Sequence, residues 1–226
     1  MKYILLSILL FTFIGCVPKQ MTKYDFAPQM YIERPLSILV LPPINKSTAS
    51  DAKDYYLTTI AEPLTIAGYY VYPIEVLNDV FKQEGLSDTE SMLNVPPQKF
   101  REFFGTDAVM YVTILKWNTS YFITAASVSV QIECEIKSSK TGSTLWYYNE
   151  EVEVNTTGDS GNAAGLTGLL IQAATTAINT ALQDYIPIAK LVNKRILVAL
   201  PFGKYNNEFN KDLKTPIAVK KKIAKK

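Results

Sequence analysis

Reactive chemistry in this chain has few residue types to draw on. Cysteine occurs twice, at Cys16 and Cys134, and histidine does not occur at all. The missing imidazole removes Ser-His-Asp and Cys-His catalysis, histidine zinc sites and sensing of mild acid. Two cysteines rule out a disulfide framework or a CxxC metal knuckle, and leave open only a single Cys16–Cys134 bridge. Carboxylates remain. Glu133 and Glu135 share one face of a strand pattern, and Glu150, Glu151 and Glu153 are expected nearby on the neighbouring strand. Paired carboxylates can do acid–base work on sugars or hold calcium. The same alternation is also the usual solvated face of an exposed strand, where acidic residues discourage edge pairing. No catalytic, cofactor-binding or metal-ligating set is assigned, and no cofactor is expected.

Two further features carry less. Gly158 to Gly168 (GDSGNAAGLTG) has the glycines of a phosphate loop, but no lysine lies between Lys140 and Lys190. A nucleotide P-loop needs that lysine to reach the phosphates, so a helix entry is the better reading. Cys134 falls on the apolar side of its strand and reads as a small buried hydrophobe rather than a nucleophile.

The other cysteine sits in a different context. Residues 1–16 read MKYILLSILLFTFIGC, with Lys2 as a positive start and an uncharged apolar run from Tyr3 to Ile14. A bilayer-spanning helix needs about 20 apolar residues, so this run suits a signal peptide better than a permanent span. Phe13-Ile14-Gly15-Cys16 resembles the bacterial lipoprotein signal, although Phe13 stands where leucine is commoner. The resemblance implies a diacylglycerol on the Cys16 thiol, loss of residues 1–15, and acylation, as with palmitate, of the new amino terminus. Two or three acyl chains hold firmly at roughly 0.8 kcal/mol per buried methylene. No acidic residue follows at Val17, which implies the outer membrane, with the domain expected in the periplasm. An uncleaved anchor or a core helix is the alternative.

The elements that follow suggest an α/β (α+β) domain at residues 36–205. Residues 16–35, with three prolines and no period, are expected to be the lipidated N-terminus and tether. Leu36–Leu41 predicts a buried strand, Asp51–Ala67 an amphipathic helix broken or kinked at Pro63, and Tyr69–Pro73 a second strand. Together they make a parallel βαβ unit, and Ser47, Thr48 or Ser50 is a candidate cap for its helix. Helices are expected at 74–83 and 97–104. Val128, Val130, Ile132, Cys134 and Ile136 alternate with polar residues, which predicts a half-buried strand. With Ala108–Trp117 before it and Leu145–Val154 after a turn at 140–143, it makes a three-stranded antiparallel meander in a mixed sheet.

Asn162–Gln183 carries no charge, but Gln172, Asn179 and its threonines make it polar for a span. It is expected to pack on the sheet or on a partner; membrane insertion as a pore or secretion element is the alternative. Residues 206–226 are lysine-rich and expected to be disordered. They are either solvated or in contact with an anionic surface. The formal charge of the 226 residues is only +2, which gives no reason to expect a nucleic-acid partner.

LSILVLPPINKST (36–48), AEPLTIAGYYVYPIEVLNDVFKQEGL (61–86), VPPQKFREFFGTDAVMYVTI (95–114) and KTGSTLWYYNEEVEV (140–154) occur in order. Together they resemble a family of bacterial outer-membrane lipoproteins typified by a neisserial surface antigen. That resemblance implies an α/β domain like the amino-terminal part of TolB and the curli-secretion lipoprotein. It also implies self-association as a homo-oligomer, a curli-secretion-like lipoprotein as partner, and no enzymatic activity. Only Cys16, as lipid acceptor, carries over as a residue. The envelope hydrolase built on the strand carboxylates stays as an alternative from another class.

Overall fold

The computed structural model describes residues 21–85, 89–122, 125–155 and 186–217. Its strands are β1 (Ser37–Val40), β2 (Ile44–Asn45), β3 (Tyr70–Val71), β4 (Ala108–Phe122), β5 (Ala125–Ser138) and β6 (Thr144–Asn155). Its helices are α1 (Lys23–Phe26), α2 (Pro28–Glu33), α3 (Ala52–Ile66), α4 (Ile74–Gln83), α5 (Thr89–Leu93), α6 (Pro97–Phe104) and α7 (Ile186–Leu197). The strands form one mixed sheet in the order β3-β1-β4-β5-β6, with β2 pairing on β4. β1 is parallel to β3 on one side and to β4 on the other, in the register Ser37↔Tyr70 and Ile38↔Ala108. The βαβ unit is therefore present, with α3 as its crossover. β4, β5 and β6 are the antiparallel meander.

Alternation puts different residues on the two sheet faces. Ile38, Val40, Met110, Val112, Ile114, Val130, Ile132, Cys134, Ile136 and Trp146 face the larger core. α3 covers it with Tyr56, Ile60 and Leu64, and α7 with Ile188, Val192 and Ile196. On the other face, Leu39, Leu41 and Val109 pack under Leu77 and Phe81 of α4, Met92 of α5 and Phe100 of α6. Tucking away a side chain of this size contributes about 1.5–3 kcal/mol. The register slips between Ile114 and Lys116, which leaves Leu115 as the extra residue of a β-bulge. One extra residue reverses the alternation. Trp117 thereby enters the core at 2% exposure, and Lys116 turns to the outer face.

Several expectations need correction. The expected tether contains two short helices, α1 (Lys23–Phe26) and α2 (Pro28–Glu33). Thr22 caps α1 by accepting from Asp25 N, and the Asp25 carboxylate accepts from Thr22 N, a reciprocal capping box. Pro28 starts α2, where a missing N–H costs nothing. The expected disorder from residue 206 is also wrong as far as Ile217, since that stretch hydrogen-bonds to the N-terminal segment. Pro63 does not divide α3, because Ile60 and Leu64 are held in the core on either side of it. The α3 N-cap is Asp51 rather than Ser47, Thr48 or Ser50. Ser47 is occupied instead by Asn45, whose Oδ1 accepts from Ser47 N and Oγ at 3.0 and 2.7 Å.

Candidate functional site

Cys16, the glycine-rich run 158–168, the segment 162–183 and the lysines from Lys220 onward lie outside the described residues. Cys134 is inside and fully buried. Its Sγ lies 3.5 Å from the Tyr56 hydroxyl. Burial pushes its thiol up to about 12, against a smaller lowering by the Tyr56 hydrogen bond. A neutral, inaccessible thiol is a packing group, in agreement with the alternation.

The glutamates divide between the two faces. Glu133, Glu135, Glu151 and Glu153 sit opposite Asn149, Tyr147, Gln131 and Ser129 on the outer face. Glu150 pairs with Ile132 and so belongs to the opposite face, which corrects the expected grouping. Glu133, Glu135 and Glu151 each have their own partners. Glu133 accepts from Tyr147 Oη at 3.1 Å and Asn149 Nδ2 at 3.0 Å. Glu135 accepts from Thr144 and pairs with Lys137 at 3.4 Å. Glu151 accepts from Lys116 Nζ at 2.5 Å and from the Ser129 hydroxyl. The Lys116 bond, helped by Ser129, holds the Glu151 carboxyl below its usual range. A general acid needs the opposite shift. No group of three or more His, Cys, Asp or Glu converges on a metal position among the described residues.

A second arrangement was not read from the sequence. Asp212 is buried and receives three donors: Lys23 Nζ at 3.0 Å, Tyr31 Oη at 3.1 Å and Phe202 N at 2.9 Å. Lys23 also donates to Leu200 O at 2.9 Å and lies 4.2 Å from the centroid of the Phe202 ring. Burial, and then the Asp212 charge, push the Tyr31 hydroxyl far up. Beside this cluster Thr22 and Pro216 form an antiparallel bridge. Ile217 N donates to Met21 O at 2.9 Å, Lys23 N to Thr215 O at 3.0 Å, and Tyr24 N to Leu213 O at 3.2 Å. The capping box and Pro28 are the signals that mark this segment as folded.

One apolar recess of about 240 Å³ is lined by Val80, Phe81, Glu84, Val95, Phe100, Phe103 and Phe104. Small-molecule sites usually exceed about 300 Å³.

Residues 24–203 match the family model described as "Putative lipoprotein GNA1162-like". The chain belongs to that family. The "Putative lipoprotein NMB1124/NMB1162" of Neisseria meningitidis serogroup B is 32% identical over 170 residues, which are 75% of this chain and 77% of the relative. The crystal structure of lipoprotein GNA1162 from Neisseria meningitidis aligns with a TM-score of 0.52 and 33% identity, over 65% of this chain and 100% of that one.

The GNA1162-like assignment agrees with the resemblance read from the blocks at 36–154, and with the α/β fold. Membership of a lipoprotein family implies anchoring in a membrane by lipid. No helix among the described residues is long and apolar enough to cross one. The GNA1162-like match spans the whole sheet, but Lys23 and Asp212 lie just outside its two ends.

Proposed function

We propose that this protein is a non-enzymatic lipoprotein of the outer membrane, acylated on Cys16, that holds a complex-forming domain against the periplasmic face of the bilayer. One observation carries the positional part: Met21 is tied to Ile217 by a hydrogen bond of 2.9 Å. Described structure therefore reaches to within five residues of Cys16 rather than twenty. Five extended residues reach at most about 17 Å, so the domain rides close to the membrane.

The complex-forming part rests on β6. Among the described residues it pairs with one strand only, β5, and the α2 helix packs against it. Such an edge can accept a further strand. The partner is a second copy of this chain or a curli-secretion-like lipoprotein. Crosslinking in intact cells followed by identification of the captured protein tests this; a protein that crosslinks to nothing at the β6 edge would exclude it. Cys16→Ala should abolish acyl labelling and release the domain from membranes, and unchanged acyl labelling would refute the anchor.

A further inference from the structure

Where α2 ends, three cations meet over one recess. It has a volume of about 250 Å³, and its lining includes Glu33, Arg34, Arg101, Asp107 and Lys140. Each cation comes from a different part of the fold. Arg34 follows α2, Arg101 belongs to α6, and Lys140 lies in the turn between β5 and β6. α6 sits on that turn, since a Cβ on Gly142 would be 2.9 Å from Gln98 Nε2.

Both carboxylates of the recess are already engaged. Glu33 accepts from the Ser138, Thr141 and Ser143 hydroxyls at 2.5, 3.1 and 3.2 Å. Asp107 accepts from Leu36 N at 3.0 Å and from Arg101 Nη1 at 3.2 Å. The cations are less well matched. Arg34 uses only Nε, which donates to Tyr31 O at 3.0 Å, and among the described residues its two terminal amino groups have no partner. The exposed Lys140 ammonium likewise has none among them. Three cations against two carboxylates leave the recess with one positive charge in excess.

Arg34 is held there against its backbone preference. Its φ of 51° and ψ of 58° are left-handed, at a helix end where glycine is the usual residue. The proline that follows favours an extended residue before it. Asn210 is the other non-glycine residue with positive φ among those described, and asparagine enters that region readily. An arginine kept where glycine would be relaxed points to a use for its side chain.

The donors select among anions. A carboxylate has two oxygens in one plane, which a single arginine fork saturates. Donors arriving from three elements suit a tetrahedral group with more oxygens. The volume admits one such group rather than a drug-sized ligand.

We propose that this recess binds a phosphoryl group, free or in a phospholipid headgroup. The terminal amino groups of Arg34 and the Lys140 ammonium donate to its oxygens, and Arg101, fixed by Asp107, closes the third side. The site depends neither on acylation of Cys16 nor on the β6 edge.

The full-length protein in neutral detergent is titrated with inorganic phosphate at constant ionic strength, and binding is read from broadening of the phosphorus NMR resonance. The broadening should saturate. Arg34→Gly removes the fork but relaxes the backbone, so the unfolding midpoint should hold or rise while phosphate affinity falls about tenfold or more. Lys140→Gln, at an exposed side chain, should weaken binding to a similar degree without touching the backbone. Phosphate affinity unchanged in both variants, acetate competing as well as phosphate, or no saturable broadening would each overturn the site. Competition by glycerophosphoglycerol, a phosphodiester, would support it as a headgroup site. Competition by glycerol phosphate alone would support it as a site for a free phosphate or monoester.

Discussion

Lys23 Nζ lies 3.0 Å from Asp212 Oδ2, both side chains buried, across 189 positions of sequence. The pair is completed by Tyr31 and by the backbone of Leu200 and Phe202, so the carboxylate and the ammonium are both well supplied with hydrogen bonds. It joins the segment that follows Cys16 to the segment that precedes the lysines.

Removing one partner leaves the other charge buried alone, which costs about 3–5 kcal/mol. Asp212→Asn and Lys23→Met should each lower the free energy of unfolding by that order, as measured by guanidinium denaturation. The double substitution should recover much of the loss, because an uncompensated charge no longer remains. Tyr31→Phe, which removes one hydrogen bond to a charged group, should cost less, about 1.5–3 kcal/mol. Additive losses in the double variant would show that the two side chains do not act as a pair.

The pairing was missed in the sequence for a physical reason. A lysine and an aspartate are almost never fully buried, and nothing local to Lys23 points to a partner so far along the chain. Local signals elsewhere were sufficient. Val128 to Ile136 alternates strictly, and β5 has that burial. Ile188, Val192 and Ile196 recur every fourth residue, so α7 could have been found by the same reasoning that found α3. Leu115 was not legible, because a bulge is set by the cross-strand register and only afterwards decides which of Lys116 and Trp117 faces the core. The separation of Glu150 from Glu151 needed only the period of two, whereas the donors on each glutamate needed the neighbouring strand.

Cys134 gives a pH prediction. Its thiol is raised from 9.0 to about 12 in the fold, chiefly by burial. At pH 8 the thiolate is then about a thousandfold scarcer than in the unfolded chain. Native protein should not react with a thiol reagent on this residue, and guanidinium should expose it. The folded state keeps the proton while the unfolded state loses it, so unfolding releases protons above pH 9. This contribution to stability is complete below about pH 9 and declines as pH rises toward about 12. Tyr111, raised from 10.0 to about 12, and buried Tyr56 act in the same direction. Denaturation midpoints should fall steadily over that alkaline range; a midpoint that rises there would contradict the assignment.

Gly68 and Gly203 form a close backbone contact that locks the end of α3 to the C-terminal segment. Gly68 has φ +92°, and a Cβ there would lie 2.4 Å from Asn206 N. A Cβ on Gly203 would lie 2.3 Å from Gly68 O. Gly203 N donates to Ala67 O at 2.8 Å and Tyr205 N to Gly68 O at 3.1 Å across the contact. Alanine at either glycine should cost about 2 kcal/mol or more, because backbone rather than a side-chain tip must yield. Hydrogen exchange at Gly203 and Tyr205 should accelerate in both variants; unchanged protection would show that the contact is loose.

Where the protein is held can be read from the intact mass of the chain purified from cell membranes. That chain should begin at Cys16 and carry a diacylglycerol and a further acyl group on that residue. A chain that retains residues 1–15, or one that begins elsewhere with an unmodified Cys16, would contradict it.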